Sequence, residues 1–326
     1  MQKYLVQRLL LTIPTMILTT IVIFAGLRVA LPTSAVDLIL SEYGRNDAEL
    51  YASLEEQLGL SSGIPEQYAT WTGIAWFWGE EPGILQGNLG QSLHSGRPVL
   101  TELERRLPVS FELGLWALAT SVIISVPLGV WAALRQDRWP DYGLRSVAIG
   151  LAAVPNFWIA VLVITFGSLW FGWAPPLGFA YFHEDPLKHI GIMLVPAVII
   201  ALTPSGSLLR LVRTQMLEVL RQDYVRTAQA KGLSQRTVLY RHALRNALIP
   251  VVTVIGTSLP ALISGTVVFE QIFVLPGMGR YLVEAINNLD YPVIQGLTLM
   301  FSVLLLYSVL LVDLSYAYID PRIRYQ

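Results

Sequence analysis

The sequence predicts an all-α polytopic membrane protein with six transmembrane helices. Three observations carry that class. Of 326 residues, 54% are hydrophobic and only 14% charged, where a soluble domain typically carries about 25% charge. Six apolar stretches recur along the chain, each near or above the roughly 20 residues needed to cross the hydrocarbon. The basic residues are segregated into connections between those stretches, the asymmetry that orients a membrane protein.

In chain order, Lys3 and Arg8 lead into residues 9–27, which carry no charge. A signal peptide has an apolar core of only about 7–15 residues and a small-residue cleavage site. Thr33-Ser34-Ala35 has the small residues, but Arg28 and Pro32 intervene and the apolar run is too long. The segment 1–30 therefore reads as an uncleaved first span starting in the cytoplasm.

From 31 to 107 the chemistry changes, with eleven acids against four basic residues. This reads as a small extracytoplasmic lobe, too acidic and too poor in apolar residues for another pair of spans. Asn46 or Asp47 suits the cap of a helix running to about Leu58, with Gly59 ending it. Trp71, Trp76, Phe77 and Trp78 suit either a belt at the membrane–water boundary or packing within the lobe.

Residues 108–320 read as a five-helix core, with spans at 108–134, 144–170, 190–211, 247–269 and 294–317, before a cytoplasmic tail at 321–326. Pro127, Pro155, Pro196, Pro204 and Pro260 lie inside four of these spans, where neighbouring helices or a cavity must satisfy the freed carbonyls. Both termini are expected in the cytoplasm. That topology places 15 of the 22 Lys and Arg residues inside.

Composition excludes several functions. Net charge is −1 and no continuous basic stripe exists, so nothing supports nucleic-acid binding. There is no Cys for disulfides, thiol catalysis or cysteine-ligated clusters. Walker A needs a Lys in a Gly-rich loop, and Lys3, Lys188 and Lys231 lie in none. His94, His183, His189 and His242 are too scattered to suggest a metal site, and no Gly-x-Ser-x-Gly elbow occurs. The chain is not expected to be an enzyme or to bind a cofactor of its own. Its energy must come from a partner or an ion gradient.

The most informative stretch is 213–247. Between Arg213 and Asn246 there are seven Lys or Arg residues and two acids, Glu218 and Asp223. Within it, 221–231 has good helix formers and no Pro, with Gly232 where a C-cap would sit. On a helical wheel Tyr224, Ala228 and Lys231 share a face, and Thr227, Ala228 and Ala230 keep much of the surface thin. Small side chains and a Tyr anchor suit docking by another protein. A basic amphipathic segment resting on anionic headgroups fits charge and periodicity about equally well.

Arg226-Thr227-Ala228, then Gly232, then Arg241-His242-Ala243-Leu244-Arg245-Asn246 resembles the EAA loop of ABC importer permeases. It is most similar to the first-permease branch serving oligopeptides, dipeptides and nickel. Arg226, Thr227 and Arg245 stand where the general pattern has Glu, Ala and Pro, departures typical of that branch. Glu270 to Arg280, with Asp290-Tyr291-Pro292, resembles the branch's other signature, and Gly87 to Ser92 and the ending Asp313 to Arg322 are similar to it as well.

The resemblance implies a type I importer fold, a homologous second permease subunit, two ATP-binding subunits at the cytoplasmic face and an extracytoplasmic substrate-binding protein, with ATP and Mg used by the partners. It implies an inner-membrane location in a prokaryote and a coupling role for Tyr224, Arg226, Thr227, Ala228, Lys231, Gly232, Arg241 and His242. Glu270, Pro276, Gly277, Gly279 and Asp290 become candidates for the outer gate of the pore, with Glu270 open between gate and structural cap. Asp313 is an intramembrane polar residue, and a structural hydrogen bond suits it better than substrate contact. The rival class is a gradient-driven secondary transporter, which would more often show inverted repeats and matched buried acids. An intramembrane enzyme is a second rival, opposed by the missing nucleophile and metal patterns. Peptide is the favoured cargo, with nickel and glycans open.

Overall fold

Four helices among the described residues are long and apolar enough to cross a membrane, or five if one sharply bent pair is a single span. The computed structural model describes residues 2–30, 62–176 and 178–319. The expected helix ending near Leu58, the small residues at 33–35 and the closing Asp320-Pro321-Arg322 lie outside them. The elements are α1 (Gln2–Ala30), α2 (Ile64–Thr72), α3 (Val99–Leu134), α4 (Trp139–Ala153), α5 (Asn156–Phe171), α6 (Pro186–Leu220), α7 (Asp223–Ala230), α8 (Arg245–Gly265), α9 (Val267–Ile272), α10 (Met278–Asn287) and α11 (Tyr291–Ile319). The four long apolar helices are α1, α3, α6 and α11.

The predicted span 144–170 is corrected. It is two helices, α4 and α5, meeting at 95°. Pro155 supplies the reason: its ring crowds the preceding backbone, and Val154 is extended at φ −97° and ψ 127°. Asn156 at the start of α5 then donates to the Ile200 carbonyl (3.4 Å) and accepts from Thr203 Oγ1 (2.6 Å), which ties the corner to α6. Pro196 and Pro204 lie inside α6 without ending it. The predicted span 247–269 corresponds to α8 followed by α9.

The chain divides into two compact units. Described residues within Met1–Pro108 and Gly277–Leu314 form the first, and those within Val109–Pro276 and Ser315–Pro321 the second. The first has a core of Val99, Leu103, Met278, Ala285, Val293 and Leu297, drawn from the start of α3, α10 and the start of α11. Before α3, residues 91–98 close into a tight loop through Ser92 N–H to the Arg97 carbonyl and Val99 N–H to the Gly90 carbonyl.

In the second unit α6 is the central element and packs on α4, α5 and α8. Its most apolar window is 61% buried, against 11% for α1, so α6 and not the first span carries the core. Gly206 permits the closest approach. A Cβ there would stand 2.8 Å from the Ala148 carbonyl oxygen of α4. A second cluster, with Val212, Met216, Ala243, Ala247 and Val251, joins the end of α6 to the start of α8.

Candidate functional site

The basic connection after α6 folds as a short helix fastened to the spans on its inner side. α6 stops at Leu220, and Gln222 turns the backbone extended before α7. The helix expected at 221–232 is thus Asp223–Ala230, with Lys231 at its C-cap. Gly232 follows in the left-handed region at φ +77°, where a residue lacking Cβ is favoured. Its N–H reaches the Gln229 carbonyl at 2.9 Å.

Sidedness differs from the expectation in one respect. Ala228 was expected on the thin surface offered to a partner, but it is 7% exposed and packs with Val225 and Val238 against Val219 and Leu220. The reason lies in helical spacing: 225 and 228 are three apart and share the apolar side. Tyr224, Arg226, Thr227, Ala230 and Lys231 are exposed. The thin outward surface is therefore Thr227 and Ala230.

Tyr224 also faces its own chain at the tip. Its hydroxyl accepts from Asn246 Nδ2 (2.8 Å) and donates to the His242 carbonyl (3.4 Å), and Asn246 donates to that carbonyl too (3.0 Å). Arg241 and His242 lie in a π-helical segment, Val238–Leu244, that leads directly into α8. Such wide turns are rare and tend to occur at functional sites.

A further link was not foreseen from sequence. Asp141, fully buried near the start of α4, receives two hydrogen bonds from Arg213 of α6, Nε at 2.5 Å and Nη2 at 2.6 Å, and one from the Asp137 N–H at 3.0 Å. A lone acid in the first turn of a helix is a usable signal, because carboxylates are favoured there. Its partner 72 residues away is not legible. Arg221 Nη2 adds a weaker reach to Gln136 Oε1 at 3.4 Å. Through these bonds α7 and its approach are braced to α4, α6 and α8.

The gate candidates fall in both units. In the second, Glu270 on α9 is completely buried, accepts from Thr266 Oγ1 at 2.8 Å, and its carbonyl accepts the Leu275 N–H at 2.8 Å. The turn that follows owes its left-handed residue to Val274 (φ +58°), and Pro276 is half-buried beyond it. In the first unit Gly277 caps α10 with extended backbone and Gly279 is buried in its first turn. Both glycines thus serve packing and capping, and the left-handed step is taken by Val274.

Asp290, 4% exposed, accepts from Ser92 Oγ (2.5 Å) and from the Leu93 N–H (3.1 Å), so it clamps the 91–98 loop at the start of α11. Nearby, Glu102 binds both Arg97 (3.1 Å) and Arg106 (3.3 Å), and the Arg106 guanidinium stacks on Tyr281 at 4.2 Å. Burial pushes the Tyr281 phenol above its ordinary range, and the Asp290 carboxylate adds to the rise. Asp313 lies in α11, with its side chain outside the described residues. Glu112 bonds His189 Nε2 at 2.7 Å while His189 Nδ1 meets the Ala180 carbonyl at 2.8 Å, a contact sequence reasoning did not pair. Among the described residues no group of three His, Asp or Glu stands together to hold a metal.

Residues 125–325 match the family described as "Binding-protein-dependent transport system inner membrane component". The chain belongs to this family and is a membrane component of such a transport system. Several of its relatives are named as permease proteins of peptide transport systems. A putative peptide transport system permease protein of Brucella abortus (strain 2308) is 38% identical over 325 residues, spanning all of both chains. The dipeptide transport system permease protein DppB of Bacillus subtilis (strain 168) is 38% identical, over 99% of this chain and 98% of its own. The oligopeptide transport system permease protein AppB of the same organism is 35% identical across the full length of both. As a permease component the chain is not the catalytic part of the system, whose ATPase activity lies in other subunits. Among solved structures, one described as an amino acid ABC transporter with histidines matches 67% of this chain and 94% of its own at 13% identity, with a TM-score of 0.49.

Proposed function

We propose that the chain is one of two homologous membrane subunits that together line the import pathway of a peptide-carrying ABC system. Peptide names among its relatives support that cargo over nickel or glycans. In this reading the chain has six spans with both termini in the cytoplasm of a prokaryotic inner membrane, two ATP-binding subunits dock at the loop after α6, and a substrate-binding protein delivers cargo from the other side. The gate candidates Glu270, Pro276, Gly277, Gly279 and Asp290 then belong to the far end of the pathway.

The observation that carries this reading is the bracing of α7. A docking helix transmits force only if it cannot slide on its own protein. Val225 and Ala228 fix its inner face, Tyr224 ties it to the His242 carbonyl and Asn246, and Arg213–Asp141 joins α6, just before it, to α4. Closure of the ATPase dimer on Thr227, Ala230 and the exposed cations Arg226 and Lys231 moves α4, α6 and α8 together. Arg241, His242 and Gly232 set the exit from the helix towards α8.

Bulk on the outward face tests this. Overpacking a tight contact costs about 1–3 kcal/mol, a roughly 5- to 150-fold loss of occupancy at about 1.4 kcal/mol per tenfold. Ala230→Trp should detach the co-purifying ATPases and abolish peptide uptake while the chain still inserts, with a reporter at Ser234 cytoplasmic and one at Gly63 extracytoplasmic. If α7 only rests on headgroups, the added Trp strengthens membrane attachment. Full ATPase retention and normal uptake in Ala230→Trp would refute the docking reading.

A further inference from the structure

Within the first unit, a cavity of about 510 Å³ is lined by Phe24 and Arg28 of α1, Trp71 of α2, Glu80 and Glu81 of the following loop, and Tyr291 and Gln295 of α11, among others. Among the described residues, three that line it carry buried polar atoms without a hydrogen-bond partner: Arg28 Nε, the Tyr291 hydroxyl and Gln295 Nε2. Tyr291 and Gln295 are only 8% and 5% exposed. They lie four apart at the start of α11 and so share one helix face. Natural interiors leave few such groups unmet, because an unpaired buried donor forfeits its hydration without return. Their convergence on one cavity therefore points to a ligand.

The chemistry of the walls identifies its class. The Arg28 guanidinium stands 5.3 Å from the ring centroids of both Phe24 and Tyr291. Aromatic contact uses the flat face of the guanidinium, so its N–H donors point out in the plane of the group, the arrangement that matches a carboxylate. The Tyr291 phenol O–H and the Gln295 amide N–H are further donors without a partner among the lining residues, so the unpaired groups as a set suit an anion. Two acids, Glu80 and Glu81, both exposed, are among the lining residues as well. Two carboxylates repel a ligand that is only anionic, such as inorganic phosphate or an acidic lipid headgroup. They attract one carrying an ammonium group on the same small body.

We propose that this cavity binds the terminal carboxylate and amine of a short zwitterionic peptide, held by Arg28, Tyr291 and Gln295 at one end and by Glu80 and Glu81 at the other. The volume lies within the range of pre-formed small-molecule sites. The choice of a peptide rests on the transport reading above, whereas the demand for a carboxylate rests on the donors alone.

The test uses the full-length chain, purified with its accompanying subunits in phosphatidylcholine nanodiscs, without binding protein or ATP. Labelled dialanine should bind saturably. Dialanine amide, which lacks the carboxylate, should bind at least tenfold more weakly, and N-acetyl-dialanine, which lacks the amine, several-fold more weakly. Arg28→Gln should lower dialanine affinity at least tenfold and Tyr291→Phe a few-fold. If Arg28→Gln does not assemble, the two modified ligands on the unaltered protein still decide the matter. No saturable dialanine binding, equal binding of the amide, or displacement by phosphatidylglycerol or inorganic phosphate with dialanine ineffective would each overturn the site. Uptake is measured separately in cells with and without the chain. If peptide uptake depends on the chain but binding ignores Arg28→Gln, the site falls and the transport reading stands. If peptide uptake does not depend on the chain, the transport reading falls, whatever the cavity binds.

Discussion

Two Asp–Arg pairs lie within the second unit and share little beyond their chemistry. Asp141 and Arg213 join α4 to α6 with exposures of 0% and 14%, and both guanidinium bonds are 2.6 Å or shorter. Asp223 and Arg226 lie three apart on α7 with exposures of 97% and 71%, and approach only to 3.6 Å. The first pair has lost its water and depends on its geometry; the second keeps its water and is free to meet something else. The same side chains thus serve as a fastener in one place and as an open surface in the other. This division is what a coupling element needs, rigid towards its own protein and available outward.

The strongest way to break that comparison is to remove one member of the fastened pair. Asp141→Ala leaves a buried guanidinium uncompensated, at a cost of about 3–5 kcal/mol. Thermal unfolding in detergent should show a large loss, and the double change Asp141→Leu with Arg213→Met should recover much of it. Equal losses in single and double variants would mean that the pair contributes nothing as a pair.

A smaller effect separates the two sides of α7. Ala228→Trp forces bulk into the chain's own cluster of Val225, Ala228 and Val238, costing about 1–3 kcal/mol of overpacking. It should raise proteolysis or hydrogen exchange across 223–238 before any partner is added. Ala230→Trp, two residues on and exposed, should leave that segment unchanged. Identical protection of the segment in both variants would erase the inner and outer faces described here.

The smallest stability effect is expected at the open pair. Exposed ion pairs contribute little to folding, so Arg226→Ala should leave the melting temperature where it is. Its consequence should appear as weaker ATPase retention, most visibly at raised salt, where screening has already thinned the remaining attraction.

How much of this was legible depends on the range of the cause. The basic loop, its helix and the stop at Gly232 follow from local propensity and charge, and each is present with boundaries moved by a residue or two. Ala228 was misplaced because a small side chain fits an outer surface and a tight inner contact equally well; only Val238, ten residues on, decides between them. Pro155 marked a disturbance, but the 95° corner also needs Asn156 and Thr203 to hold it. The four residues of the Glu112–His189 and Asp141–Arg213 contacts are ordinary alone, and their meaning comes from neighbours 77 and 72 positions distant. The same holds for Arg28 and Tyr291, which belong to opposite ends of the chain.

The π-helical segment Val238–Leu244 carries one more consequence. A wide turn accommodates an additional residue within an otherwise α-helical run, and each residue of an α-helix advances the azimuth by about 100° and the rise by 1.5 Å. Deleting a single residue there would let the run wind as plain α-helix, with everything before it swung about the axis of α8. The direction in which α7 points is therefore a matter of counting. Phase along the chain, more than the identity of any side chain in that segment, aims the loop, so a one-residue insertion or deletion should misdirect it where most substitutions would leave it aligned.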